Sequence, residues 1–475
     1  MNKPHVIILG AGPAGLGAAH RLTSRRQAQV TVLERNNVVG GAAGSFELGG
    51  VRVDFGSHRL HPACDPEVLR DIREMLKGDL LDMPRHGRIR LRGRWIHFPL
   101  KPFDLALGLP PSFAFGVATD FVRKALPHNS NTAGAETFSS ILESGLGRTI
   151  CRDFYFPYAR KLWGLEPDEL SATQARRRVS AGSLAKMLRK VISAVPGFKP
   201  PGSGRFFYPR RGFGQICEAY YQAAQYGGAE FHLGARVESV ESVGNHSFTV
   251  RYEKDGELQS ATADYVWSTI PITALAGCMK PAPPAEYLLA AGKIDYRAMI
   301  LIYLLLEQNR FTEYDAHYFP EPHIRISRLS EPKNYSAKQE PRNRTVLCAE
   351  LPCSDADPEW GMNDEELGAL TLNALRAAGL PAPAPALQVT TRRLRQAYPI
   401  YQQGYEACFN QLDQWLAQVD GLLTFGRQGL FAHDNTHHAL YMAYAAANCL
   451  NSEGKFDHDR WRKCRRVFET HVVED

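Results

Sequence analysis

The sequence predicts an α/β fold organised around a discontinuous, parallel-sheet nucleotide-binding domain, and three observations carry that prediction. HVIILG (5–10) reads as a strand that runs straight into the glycine turn GAGPAG (10–15) and the helical AAHRLTSRR. A second apolar strand, QVTVLE, ends on Glu34, so strand, turn, helix, strand and acid fall in the order a dinucleotide site requires. Three later segments read as returns to the same domain. They are FYPRRGFGQICEAYYQAAQYGGAEFHLGARVESVES (207–242), DYVWSTIP (264–271) and TFGRQGLFAHDNTHHALYMAYAAANCL (424–450).

Each part of the first unit has a physical reason. Gly10 permits the tight turn, and Gly12, followed by Pro13 and Ala14, lets backbone N–H groups approach a pyrophosphate at the helix N-terminus. Gly15 lets helix and strand pack closely, while Glu34, followed by Arg35, can accept ribose hydroxyl hydrogens and repels a 2′-phosphate. The next stretch, RNNVVGGAAGSF, supplies a second close-approach turn at Gly40, Gly41 and Ala42, of the kind found in FAD proteins of the amine-oxidase superfamily. FAD is therefore the expected cofactor rather than NAD. The later returns add Val237, Gly426, Arg427, Asn435 and Thr436 as cofactor candidates, the last two at a helix start.

Bulk properties limit the function classes. The 475 residues, 44% apolar and 22% charged, suffice for two or three globular domains. A net charge of +6, from 56 basic and 50 acidic residues, is spread along the chain and favours anionic small molecules over nucleic acid. Nine scattered cysteines, never spaced CxxC, read as reduced thiols of a cytoplasmic protein with no metal site. HVIILGAG is too short for a signal peptide. LALGLPPSFAFGVAT (105–119) falls short of a membrane span, and we read it as buried helix, with peripheral membrane contact as the alternative. The basic PRHGRIRLRGRW (84–95) alternates as a strand and hairpin do. GSLAKMLRKVISAVPGFKPPGSG (182–204) reads as a basic amphipathic helix with a Pro/Gly-rich tail, either a lid or a surface-binding helix. Oligomeric state stays open.

Between the returns lies FYFPYARKLWGLEPDELSATQARRRV (154–179), which resembles the GYTxKQWG-type segment of the UDP-galactopyranose mutase family. Aligned on Trp163 and Gly164, it supplies Tyr158 and Lys161 before, Pro167 and Ala172 after, and Arg176 or Arg177 where that family carries the arginine of its mobile loop. GSHRLHP (56–62) resembles the family's flavin-side GPHIFHT loop. The resemblance implies that Gly56, Ser57, His58 and His61 lie beside the flavin, and the flanking glycine and proline argue for a loop rather than a helical metal pair.

IRISRLSEPKNYS (324–336) resembles the arginine-bearing strand, with Arg325 the better match to the substrate-diphosphate arginine and Arg328 the second. AYPIYQQGYEACF (397–409) is similar to YYPVNDxxN and places Tyr398 at the substrate. GRQGLFAHDN matches GRLxxYRYxDM, with His433 in place of the family's diphosphate tyrosine and Asn435 in place of its aspartate. STIP (268–271) and FYPRRGFGQI (207–216) look more like the protoporphyrinogen-oxidase and amine-oxidase side of the superfamily.

The resemblance implies a flavin-dependent pyranose–furanose mutase acting on a nucleotide sugar, with reduced FAD as covalent catalyst and no net redox change. His58 or His61 would move protons, Arg177 and Arg325 would hold the leaving diphosphate, and Tyr158, Trp163 and Tyr398 would form the aromatic floor. An FAD-dependent oxidase or desaturase on a small organic substrate is the alternative, and a flavin-bound interaction protein without turnover is a third class. Blander roles stand beside these: Trp163 as core, and the QARRRV arginines as a solvated face. The expected architecture is a Rossmann-type FAD-binding domain over 1–80, 205–275 and 395–475, an inserted helical domain over 100–204, and an antiparallel-sheet substrate domain over 276–394.

Overall fold

The computed structural model describes residues 3–98, 108–125, 136–178, 204–244, 246–336 and 340–473, so all but the last residue of the candidate lid at 182–204 lies outside the described residues. At its centre is a five-stranded parallel sheet in the order Leu422–Thr424, Tyr265–Ser268, His5–Leu9, Gln29–Glu34, Glu230–Leu233. The chain thus reaches this sheet from segments more than 400 residues apart, as the returns predict. Alternation along the central strand feeds two cores. Val6 and Ile8 pack with Trp267 under helices Pro13–Ser24, Gln215–Tyr226 and Thr436–Cys449, whereas Ile7 and Leu9 face the opposite core with Val266. That second face is covered by helices Ile272–Cys278 and Tyr405–Leu416 and by a four-stranded sheet built on Arg236–Ser242, Phe248–Lys254 and Glu257–Ala263.

A seven-stranded sheet, antiparallel except at one pair, lies beside the nucleotide-binding part. Its order is Gln388–Pro399, Tyr296–Leu306, Thr345–Cys353, Arg328–Ser330, Ala316–Tyr318, Gly87–Leu91, Arg94–Phe98. The strand YRAMILIYLLL is apolar on both faces because both are covered. Ile300, Ile302 and Leu304 meet helix Asp364–Ala377, while Met299, Leu301 and Tyr303 meet the hairpin Ser45–Leu48/Val51–Asp54. The basic 84–95 stretch forms the hairpin its alternation predicts, with Ile89 opposite Ile96, and it belongs to this sheet.

His317 is fully buried in the same sheet, edge-on to Trp95, and burial followed by the charge of Arg88 pushes its pKa from 6.5 down to about 3. The folded state therefore binds fewer protons than the unfolded chain between those values, so stability contributed here is full above pH 6.5 and lost as pH falls toward 3. A His317→Gln variant is expected to show a flatter dependence of the urea midpoint on pH across that window. An unchanged slope would assign the acid sensitivity to other groups.

Helices Phe138–Leu146, Phe156–Trp163 and Ala172–Arg178 share a small core of Phe138, Leu142, Leu162, Trp163 and Leu170. A π-helical turn, Cys151–Tyr155, leads into Phe156–Trp163 and swings Phe154 and Tyr155 toward the sheet. One expectation is corrected here. Helix Pro111–Ala125 is not buried: Phe113 is covered, but Phe115 is 76% and Val122 58% exposed. One face of this helix is held, where Asp120 accepts the Thr149 N–H at 2.7 Å.

Candidate functional site

The nucleotide cradle is formed by residues close in sequence. Gly10 N–H donates to Leu33 O at 2.8 Å, and Gly40 N–H donates to Ala11 O at 2.8 Å, so the two glycine turns are stitched together. A Cβ on Gly15 would sit 1.9 Å from the Gly10 carbonyl oxygen, which makes glycine obligatory there. A Cβ on Gly41, where φ is +54°, would approach Gly12 Cα at 3.2 Å. By contrast, nothing lies within 4 Å of a Cβ on Gly12, and that open space at the helix start is where a pyrophosphate fits.

Glu34 is buried, accepting Ala11 N–H at 2.8 Å and Asn36 N–H at 2.9 Å, with lone pairs left for ribose hydroxyls. Arg35 is exposed. Ala235 N–H donates to Glu34 O at 2.8 Å and so brings the Val237 strand to the Glu34 side. Gly426 meets Ala14, and helix Pro13–Ser24 packs on Thr436–Cys449 through Gly17, Leu440 and Ala443, so the two returns close one cradle.

A cavity of about 440 Å³ opens beside this cradle. Ala42, Gly56, Ser57, His58, Arg427 and Asn435 form its cradle side. Tyr158, Trp163, Arg328, Tyr398 and His433 line it as well, together with Tyr155, Tyr318 and apolar side chains such as Phe55, Ile89 and Phe154. Tyr398 stacks on His433 with ring centroids 6.1 Å apart, Trp163 meets His433 edge-on, and the Arg427 guanidinium lies 5.1 Å over Tyr398 while donating to Ala397 O at 2.8 Å.

His58 stacks on Phe213, and its Nε2 lies 2.9 Å from Phe55 O, which assigns that nitrogen as the donor and leaves Nδ1 able to accept a proton. Burial, opposed by Asp54, lowers its pKa, so the ring is neutral. Asp54 itself is fully buried and accepts from Ser45 Oγ and Tyr208 OH at 2.6 Å and from Phe213 N–H at 2.8 Å; burial raises its pKa.

Four expectations are corrected. Arg325 does not line the cavity: its neighbours Ile324 and Ile326 are buried in the sheet core, while Arg325 stands outward and pairs with Glu359. Arg328 is the cavity arginine instead, directly opposite Glu350 in strand register and 2.7 Å from its Oε1. Burial alone would lower the Arg328 pKa, but Glu350 and the neighbouring tyrosines outweigh it and raise it. Arg176 is on the surface against Glu136. Arg177 points inward, yet it lies behind the wall, over Tyr401 and 3.3 Å from its hydroxyl. His61 leaves the cavity because Leu60 pairs with Phe207; its Nδ1 accepts Ala63 N–H at 3.1 Å.

Sequence reasoning missed Glu350, whose Oε1 also accepts Ser57 N–H at 3.1 Å. The available signal was a lone acid inside the apolar strand TVLCAELPC. It also missed the wall tyrosines Tyr155 and Tyr318, and Tyr335, which reaches Ser57 Oγ at 2.6 Å.

Lys161 does not enter the cavity. Its ammonium donates to the carbonyls of Phe319, Glu321 (2.9 Å), Ile324 (2.7 Å) and Ile326 (3.3 Å), and burial, opposed by Glu321, pushes its pKa down to about 7. It holds the segment that leads into Arg328. Lys161→Met leaves these carbonyls without their donor and is expected to cost about 1–3 kcal/mol, read as a lower urea midpoint. An unchanged midpoint would mean that water replaces the ammonium.

The profile of the family described as flavin-containing amine oxidoreductase matches residues 13–447, nearly the whole chain. The chain belongs to the flavin-containing amine oxidoreductase family. This member of the family is 55% identical over 53 residues to a phytoene dehydrogenase of Streptomyces griseus, a match covering 11% of this chain and 10% of that protein. It is 28% identical over 277 residues to a 1-hydroxycarotenoid 3,4-desaturase of Flavobacterium sp. (strain P99-3), covering 52% and 53% respectively. The chain thus spans about half or less of the length of these curated relatives.

Among solved structures, the chain superposes on reduced UDP-galactopyranose mutase with a TM-score of 0.82 at 22% identity, covering 100% of this chain and 99% of that one, which shows a shared fold. FAD bound in the cradle supplies either a hydride acceptor or, when reduced, a nucleophilic nitrogen. Among the described residues, no helix is long and apolar enough to cross a membrane.

Proposed function

We propose that this flavoenzyme catalyses a mutase-type isomerisation of a nucleotide sugar. The observation that carries this reading is the convergence of Tyr158, Trp163, Arg328, Tyr398 and His433, drawn from four distant segments, on one cavity facing Ser57, His58 and Asn435. Aromatic faces with phenolic rims suit a sugar and a base, because they offer stacking together with hydroxyl hydrogen bonds. Arg328 and Glu350 would orient hydroxyls next to the flavin, and the neutral His58 could relay a proton through Nδ1. Burial raises the Tyr158 pKa well above 10, so its hydroxyl stays protonated and donates.

A second reading, oxidation of a neutral organic substrate by hydride transfer, is favoured by one observation. Arg328 is neutralised by Glu350, and Arg325 and Arg176 face away, so a diphosphate finds less positive charge than the mutase resemblance implies. Incubation of FAD-loaded protein with a panel of nucleotide sugars separates the two, dithionite-reduced under nitrogen in one arm and oxidised in air in the other. A furanose isomer only in the reduced arm, without peroxide, is the expected result. Substrate-dependent flavin reduction with peroxide in the oxidised arm would replace the mutase reading with the oxidoreductase one.

A further inference from the structure

The C-terminal tail forms part of the cavity wall, and the groups that hold it resemble a ligand set. Val472 and Val473 line the cavity, and Val473 N–H donates to Arg177 O at 2.9 Å. Just before them, His471 stacks on His438 with centroids 4.2 Å apart, and both rings meet Asp434. His471 Nδ1 lies 3.4 Å from one carboxylate oxygen and His438 Nδ1 lies 3.7 Å from the other.

Asp434 is only 2% exposed, and among the described residues these two imidazoles are its only ion-pair or side-chain hydrogen-bond partners. Such gaps are long for charge-assisted hydrogen bonds, which run at about 2.7–2.9 Å. One ligand atom from each of the three residues lies within 4.8 Å of the others, and small rotations bring them toward the roughly 3.3 Å edge of a tetrahedron whose metal–ligand bonds are about 2.0–2.1 Å. A buried carboxylate this loosely hydrogen-bonded, with the Arg177 charge acting on it but not in contact, is costly unless a closer cation completes it. Independently, His437 is 5% exposed, has an unpartnered Nδ1, and its ring lies 4.1 Å from that of His438.

We propose that Asp434, His438 and His471 bind one divalent transition-metal ion, of the zinc or cobalt kind, that clips the tail to helix Thr436–Cys449. Two imidazoles and one carboxylate suit such borderline ions rather than calcium or magnesium, and they leave a fourth position for water. Parallel rings share no in-plane point, so coordination turns one imidazole about its Cβ–Cγ bond and ends the contact of His438 Nδ1 with Asn435 N–H, now 3.3 Å. Arg177, which is attracted to the same carboxylate, makes the site weaker than a closed structural zinc site. The clip sets where Val472 and Val473 stand, and with them the size of the cavity. Expectations from cysteine spacing and the His58–His61 pair found no metal because this set joins an aspartate and a histidine four residues apart to a histidine 33 residues on.

Chelator-treated, FAD-loaded protein titrated with Co²⁺ provides the test. One equivalent is expected to bind with visible ligand-field absorption of tetrahedral intensity, and to be displaced by Zn²⁺. His471→Ala, which lies beyond the last helix and leaves the fold intact, is expected to lose that absorption and to weaken binding by more than the roughly 10-fold that even outer-shell changes cost. Zn²⁺ is also expected to slow carboxypeptidase trimming of the native tail but not of the variant's tail. Absence of stoichiometric Co²⁺ binding, or binding unaltered in His471→Ala, overturns the proposal. Neither readout depends on turnover, so failure here leaves the mutase reading standing, and the reverse holds too.

Discussion

Arg328→Ala is expected to abolish turnover and to destabilise the protein by about 3–5 kcal/mol, because it leaves Glu350 as an uncompensated charge in the interior. The Glu350 side chain is 4% exposed and, among the described residues, would keep only the Ser57 N–H as a donor. Glu350→Ala is expected to be comparably severe, since it strands the Arg328 guanidinium instead. Arg328→Lys should keep the charge but lose the planar fork, recovering stability before activity. Arg325→Ala is the internal control: its side chain is 58% exposed and stands outside the cavity, so the variant should leave turnover intact even though Glu359, with a side chain 11% exposed, loses its partner and some stability. Flavin-fluorescence melting and steady-state kinetics of the four variants decide the matter. Equal loss of activity in the Arg325 and Arg328 variants would refute the assignment of Arg328 as the cavity arginine.

Gly15→Ala is expected to yield flavin-free protein. The added methyl would stand 1.9 Å from the Gly10 carbonyl oxygen and 3.3 Å from the Ile8 side chain, both in the centre of the core strand and its turn. Neither can retreat: Gly10 N–H is tied to Leu33 O, and Ile8 has no exposure. Helix Pro13–Ser24 must therefore lift from the sheet, which removes the N-terminal N–H groups from the pyrophosphate. Gly12→Ala meets no protein atom within 4 Å, so its effect arises only through contact with FAD. The ratio of 450 nm to 280 nm absorbance, before and after adding excess FAD, reads both. A Gly15→Ala protein that retains stoichiometric flavin would show that helix–strand contact is dispensable.

The cradle was legible because its parts are local. Gly10, Gly12, Gly15 and Glu34 lie within 25 consecutive residues, and their spacing follows from one strand, one turn and one helix. The returns at 264–271 and 424–450 could be read for a related reason, since a strand buried on both faces is apolar throughout whatever its partners. The exposed helix Pro111–Ala125 misled for the opposite reason: composition reports how apolar a segment is, not which face finds a partner.

Short-range spacing, acting through backbone geometry, was therefore enough to specify a dinucleotide cradle and a loop at GSHRLHP, while resemblance of the Gly40–Gly41 turn to known FAD proteins named the cofactor. Which charges meet across the cavity was decided only in three dimensions. Along the chain Arg325 looks the better match, but the loop before the strand turns it out toward Glu359, and pairing register sets Arg328 opposite Glu350. The same holds for Lys161, drawn away from the cavity by four carbonyls 158 to 165 residues distant, and for Val472 and Val473, which enter it. Burial makes each of these pairings consequential, because a charge removed from water must find its partner wherever the fold brings one near.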